Sequence, residues 1–127
     1  MMSRTIVCFA VALDLLLANP PAARAHHSSA MYETKRLVTL RGIVKEFRWT
    51  NPHVTMKIEV EGSKKNEGEL WMVEATSPGN LSRDGWTRTS VRVDQRVEVV
   101  AAPLRDGGHG AYCRGVTLLE SGKRLEC

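Results

Sequence analysis

From Leu37 onward, apolar and polar residues alternate with period two, the repeat of a chain whose successive side chains point to opposite faces of a sheet. VTMKIEV is the cleanest case. Val54, Met56, Ile58 and Val60 fall on one face, and Thr55, Lys57 and Glu59 on the other, which predicts a half-buried strand. Before it, LVTLRGIVKEFRW (37–49) is a longer β-rich run. Gly42 is expected there as a bulge or bend where the strand must curl. EGSKKNEGE (61–69) is all polar and predicts a surface loop, and ELWMVEAT returns as a third strand.

SPGNLSRDGW breaks the strand rhythm. Ser77 can cap a helix, Pro78 suits its first position, and Asp84-Gly85 stops it, so one or two helical turns are predicted over 78–83. VRVDQRVEVVAAPL (91–104) resumes as strand, with Val91-Arg92-Val93 leading into a polar turn. DGGHG (106–110) is a turn before a final hairpin. Three curled strands, a short helix, then two more strands is the order of an all-β, OB-like Greek-key barrel with one short helix between strands 3 and 4. Closure also removes the exposed edges that such short strands would leave. A five- or six-stranded β-sandwich is the competing arrangement.

The first residues follow a different rule. Arg4 precedes a largely apolar run from Ile6 to Ala18, Asn19-Pro20-Pro21 breaks any helix, and Ala23-Arg24-Ala25 has the small-x-small pattern that a signal peptidase reads. The run is shorter than the roughly 20 residues a bilayer span needs. Asp14 interrupts it, but a buried core helix would not end in Pro-Pro-Ala-Ala-Arg-Ala. Residues 1–25 therefore read as a cleaved signal peptide, 26–36 as an extended N-terminal segment and 37–127 as a β-barrel domain, located in the periplasm or secreted. No membrane span is expected after cleavage.

Charge and cysteines fit that location. The chain carries 18 Lys and Arg against 14 Asp and Glu, a net charge of +4, without a block of one sign. Solvated mixed faces follow, rather than a nucleic-acid footprint. Cys8 leaves with the signal, so Cys113 and Cys127 remain, and an even count in an exported domain permits a disulfide. Folding YCRGVTLLESGKRLEC about its midpoint near residue 120 sets Cys113 opposite Cys127.

AHHSSAMYE (25–33), VTLRGIVKEFRWTNPHV (38–54) and EATSPGNLSRDGWTRTSV (74–91) together resemble a family of small exported bacterial proteins of unknown function. That family carries an Ala-His-His start, a Trp-Thr-Asn-Pro-His segment and a Gly-Trp-Thr-Arg segment. The matching positions are His26, His27, Trp49, Asn51, Pro52, His53, Gly85, Trp86 and Thr87. The resemblance implies export and a single β-rich domain, and brings no activity, substrate or catalytic residue.

Catalytic constellations are missing: no G-x-S-x-G turn, no phosphate-cradling glycine loop, and no cysteine set beyond the candidate bridge. Glu59, Glu69 and Glu74 fall at positions expected to face solvent or flank loops, so an enzyme acting on carbohydrate through paired carboxylates has little support. The expected role is a non-enzymatic binding or interaction module for a periplasmic protein or small ligand.

RWTNPHV (48–54) is the most informative internal stretch. Asn51 and Pro52 make a turn or corner that aims His53 at the start of the next strand. His53 then either satisfies a neighbouring carbonyl or faces a barrel mouth, where ligands sit. Trp49 and Trp86 adjoin turns, as corner packing or as a stacking platform, and Trp71 lies in a strand as core. His109 reads as solvated. Cleavage after Ala25 would free the α-amine of His26. That amine, the His26 imidazole, and His27 or His53 could close a chelate suited to a copper ion. The competing reading is a frayed polar terminus.

Overall fold

The computed structural model describes residues 29–62 and 68–127. The signal assignment, His26 and His27 lie outside the described residues. Six strands form in chain order: β1 (Val38–Arg48), β2 (Thr55–Val60), β3 (Leu70–Glu74), β4 (Arg96–Pro103), β5 (Gly110–Leu118) and β6 (Arg124–Glu126). Helix α1 (Pro78–Arg83) sits between β3 and β4. Neighbours run β3-β2-β1-β4-β5-β6, and a parallel β3–β5 pairing joins Met72 to Gly110 and Glu74 to Tyr112. That last pairing closes β1 to β5 into an OB-like barrel, with β6 hairpinned onto β5.

Alternation decides what lies inside. Met56, Ile58 and Val60 of β2 are buried together with Val44, Val73, Val97, Val99 and Val116 from neighbouring strands. Ser77 caps α1 by accepting from Asn80 N at 3.2 Å, with Pro78 in the first turn, as the local sequence predicts. So short a helix is held by what it buries. Leu81 is fully covered, worth roughly 1.5–3 kcal/mol.

Three local expectations need correction. The irregularity in β1 falls between Val44 and Glu46, not at Gly42. Gly42 stays in register with Val60, and a Cβ there would lie 2.1 Å from the Glu59 carbonyl oxygen, so the glycine serves close backbone approach. Val91 is buried but not in a strand. Asp94 takes φ 69°, and residues 94–95 instead bond Val44 of β1, so β4 starts only at Arg96. The β5–β6 hairpin pairs Gly115 with Glu126, one residue away from the register predicted about residue 120. Cys127 N therefore donates to Arg114 O at 3.2 Å, and its side chain still closes the disulfide to buried Cys113 with Cα atoms 5.7 Å apart.

On the outer wall, Arg41 pairs with Glu98 (2.8 Å), Lys45 with Glu59 (2.7 Å), Lys57 with Glu46 (3.1 Å) and Arg96 with Glu61 (2.8 Å). Hydrogen bonds from Lys57 and Arg96 hold the Glu46 and Glu61 carboxyls below their ordinary range. Such exposed pairs contribute little stability. They do balance one another's charge at these four places on the wall.

Candidate functional site

The ladder between β2 and β3 does not stop at the strand ends. Val54 N donates to Thr76 O at 3.1 Å and Ala75 N to Val54 O at 2.8 Å, while Thr55 stands opposite Glu74. This fastens the end of the Trp49–His53 corner against the C-terminal end of β3 and sets His53 beside Glu74. Asn51 and Pro52 form the exposed tip of the corner.

Glu74 is the centre of the arrangement, and only 15% of its side chain is exposed. One carboxylate oxygen takes Nδ1 of His53, and the other accepts the Tyr32 hydroxyl at 3.0 Å. Tyr32 arrives from the described residues ahead of β1, and residues 31–33 lie back on the barrel. Tyr32 bridges Leu104, Glu33 N donates to Pro103 O at 2.8 Å, and Arg105 N donates to Met31 O at 3.0 Å. Arg105 Nε adds a bond to Tyr32 O at 3.1 Å. The Tyr32 ring is buried and tilted against Tyr112, with centroids 5.5 Å apart, and Arg114 lies over Tyr112 at 5.8 Å. Burial first, and the Glu74 carboxylate second, push the Tyr32 hydroxyl up from 10.0 to about 12, so it remains a donor to Glu74.

A carboxylate behind Nδ1 selects the imidazole tautomer in which Nε2 carries the lone pair. Carboxylate-backed histidines of this kind are the usual metal-ligating form, because the partner fixes both ring orientation and tautomer. Among the described residues no group of three His, Cys, Asp or Glu side chains gathers to hold an ion. Ser29, where the described residues begin, is two positions beyond His27 in sequence, about 7 Å of fully extended chain.

The remaining predicted residues sort differently. Trp86 is buried, packs its ring 6.5 Å from Phe47 and donates Nε1–H to Glu126 O at 2.6 Å, which leaves no face for a flat ligand. Trp49 is partly buried against the core, 6.3 Å from Phe47. His109 is not simply solvated: its ring stacks on Trp71 at 5.3 Å, and Nε2 lies 3.3 Å from Glu69 Oε2. This group stands at the opposite end of β3 from Glu74. The Trp71 indole N–H and Glu69 Oε2 are buried there without a hydrogen-bond partner among the described residues.

Glu74 and Tyr32 are the residues that sequence reasoning missed. Strand parity placed Glu74 outward, which is correct, but an outward carboxylate reads as solvated until a second segment covers it. The only signal for that cover was the apolar-aromatic pair Met31-Tyr32 ahead of the first strand.

The sequence profile of a family of unknown function, DUF6152, matches residues 14–112. No curated protein matches the chain. Among solved structures, the mitochondrial single-stranded DNA binding protein Rim1 of S. cerevisiae is similar with a TM-score of 0.50 and 13% identity, over 66% of this chain and 93% of that one. A ZRD-deleted mutant of TiaS in complex with agmatine is similar with a TM-score of 0.45 and 20% identity, over 66% of this chain and 21% of that one. At such identities the likeness to Rim1 concerns the barrel fold alone.

Proposed function

Because this chain belongs to DUF6152, a family of unknown function, we propose its role from the site itself: an exported, non-enzymatic barrel that binds a transition-metal ion, Cu(II) first, at the His53 corner. The observation that carries this reading is the shared Glu74 carboxylate, which orients His53 and at the same time anchors the segment that follows His26 and His27. After cleavage behind Ala25, the His26 α-amine, with an ordinary pKa of about 7.7–8.0, yields its proton readily to a competing metal. That amine, the His26 ring and His53 supply three nitrogens, with His27 as the alternative third donor. A nitrogen set suits Cu(II), which heads the affinity order of the divalent first-row ions. Tyr32 and Glu74 hold the corner and touch no metal in this scheme.

The disulfide supports an oxidising compartment. Among the described residues no helix is long and apolar enough to cross a membrane.

The test is metal analysis of protein recovered after export, with the first residue fixed by intact mass. Protein starting at His26 should carry or take up one Cu(II) per chain. Adding one residue before His26 removes the free α-amine from that position and should weaken uptake. Equal copper affinity in the two forms contradicts the terminal chelate.

A further inference from the structure

The docked segment builds a second feature beside the His53 corner. After Tyr32 the chain turns, Arg36 N donating to Glu33 O at 3.4 Å, and then enters β1 at Val38. Between this turn and the end of β4 lies a cleft of about 610 Å³, lined by Glu33, Lys35, Arg36, Pro103, Leu104 and Arg105. Three of the six lining side chains are cationic and one is anionic. Glu33 is already committed, accepting from Arg105 Nη1 at 3.3 Å and from the Lys35 backbone N at 3.3 Å. Arg105 donates to the Tyr32 carbonyl through Nε and to Glu33 through Nη1, and these two bonds orient its guanidinium at the cleft. Lys35 and Arg36 have no ion-pair partner among the described residues, in contrast to Arg41, Lys45, Lys57 and Arg96 on the barrel wall.

The geometry points to this cleft as a binding site for a phosphate-type anion. Arg105 keeps Nη2 as a charged donor not spent on Tyr32 or Glu33, and two uncompensated cations at the rim supply attraction from solution. Pro103 is buried and Leu104 partly so, giving the cleft an apolar floor beneath its exposed cations. Met31 and Leu37, at either end of the segment, are 45% and 50% exposed. Exposed apolar side chains flanking a basic cleft suit a phosphate carried on a lipid headgroup, while a free phosphate-type ion would need the cations alone. The site uses neither His53 nor the N-terminal histidines, so it stands apart from the copper reading.

Two probes separate the sources, inorganic phosphate and vesicles of phosphatidylglycerol in phosphatidylcholine. The variant is the double substitution Lys35→Ala/Arg36→Ala, which leaves the Arg105 bonds to Tyr32 and Glu33 intact; an unchanged thermal midpoint verifies its fold. Phosphate should shift the backbone amide resonances of residues 33–36 and 104–105, and the double variant should abolish those shifts. If the phosphate is lipid-borne, co-sedimentation with the anionic vesicles should fall roughly thirtyfold in the variant, two cations' worth of surface attraction, with pure phosphatidylcholine vesicles unbound. Phosphate shifts without vesicle binding place a soluble anion in the cleft. The inference is overturned if neither probe binds, or if binding is unchanged in the double variant. His53→Ala should leave both probes' behaviour as in the native chain, so failure here and failure of the copper reading are told apart.

Discussion

Tyr32 donates its hydroxyl to Glu74 at 3.0 Å, and that one bond ties the segment ahead of the barrel to the corner that carries His53. Each partner looks ordinary in sequence. Joined, they turn an outward carboxylate into a largely covered one that also orients an imidazole.

The bond has a titration signature. The Tyr32 hydroxyl is raised from 10.0 to about 12, by burial and then by Glu74, so the folded chain keeps a proton that the unfolded chain has already lost in that window. Stability attributable to Tyr32 should be complete below pH 10 and decline as pH rises from about 10 to about 12. Absorbance titration of tyrosinate against unfolding midpoints checks this, and Tyr32→Phe should remove the late step. The same variant should cost about 1.5–3 kcal/mol, the range for a hydrogen bond to a charged group.

The Cys113–Cys127 disulfide closes a loop across 14 positions, worth about 3 kcal/mol by loop-closure entropy. Reduction should lower the melting temperature while far-UV circular dichroism keeps the native β signature. Two free thiols in unfolded, unreduced exported protein would disprove the bridge.

Gly42→Ala should destabilise by about 1–3 kcal/mol, because the added Cβ meets the Glu59 carbonyl at 2.1 Å in a backbone paired on both sides. Chemical denaturation checks it. A neutral result would mean that β1 and β2 can separate at this point without loss.

Much of the barrel is legible in the sequence. Val54, Met56, Ile58 and Val60 announce β2 because one buried face imposes a period of two, and Ser77-Pro78 announce α1 because capping is local chemistry. Contacts set by three-dimensional closure were not legible. The carboxylate of Glu74 is read only through Tyr32, which arrives from before the first strand, and through His53, which arrives from the preceding corner. The β5–β6 register moved by one residue because the turn around Gly122, at φ 73°, sets it rather than the cysteine spacing. Val91-Arg92-Val93 read as strand by alternation, yet Asp94 turns the chain before any partner pairs with it.

The most direct measurement is the Cu(II) affinity of protein beginning at His26, compared with its His53→Ala and Glu74→Gln variants at matched folding. The account predicts stoichiometric binding by the native chain, clear weakening in His53→Ala, and an intermediate loss of about 10–100-fold in Glu74→Gln, where the imidazole remains but its orienting carboxylate charge is gone. Copper bound equally well by all three proteins would contradict a site at the His53 corner.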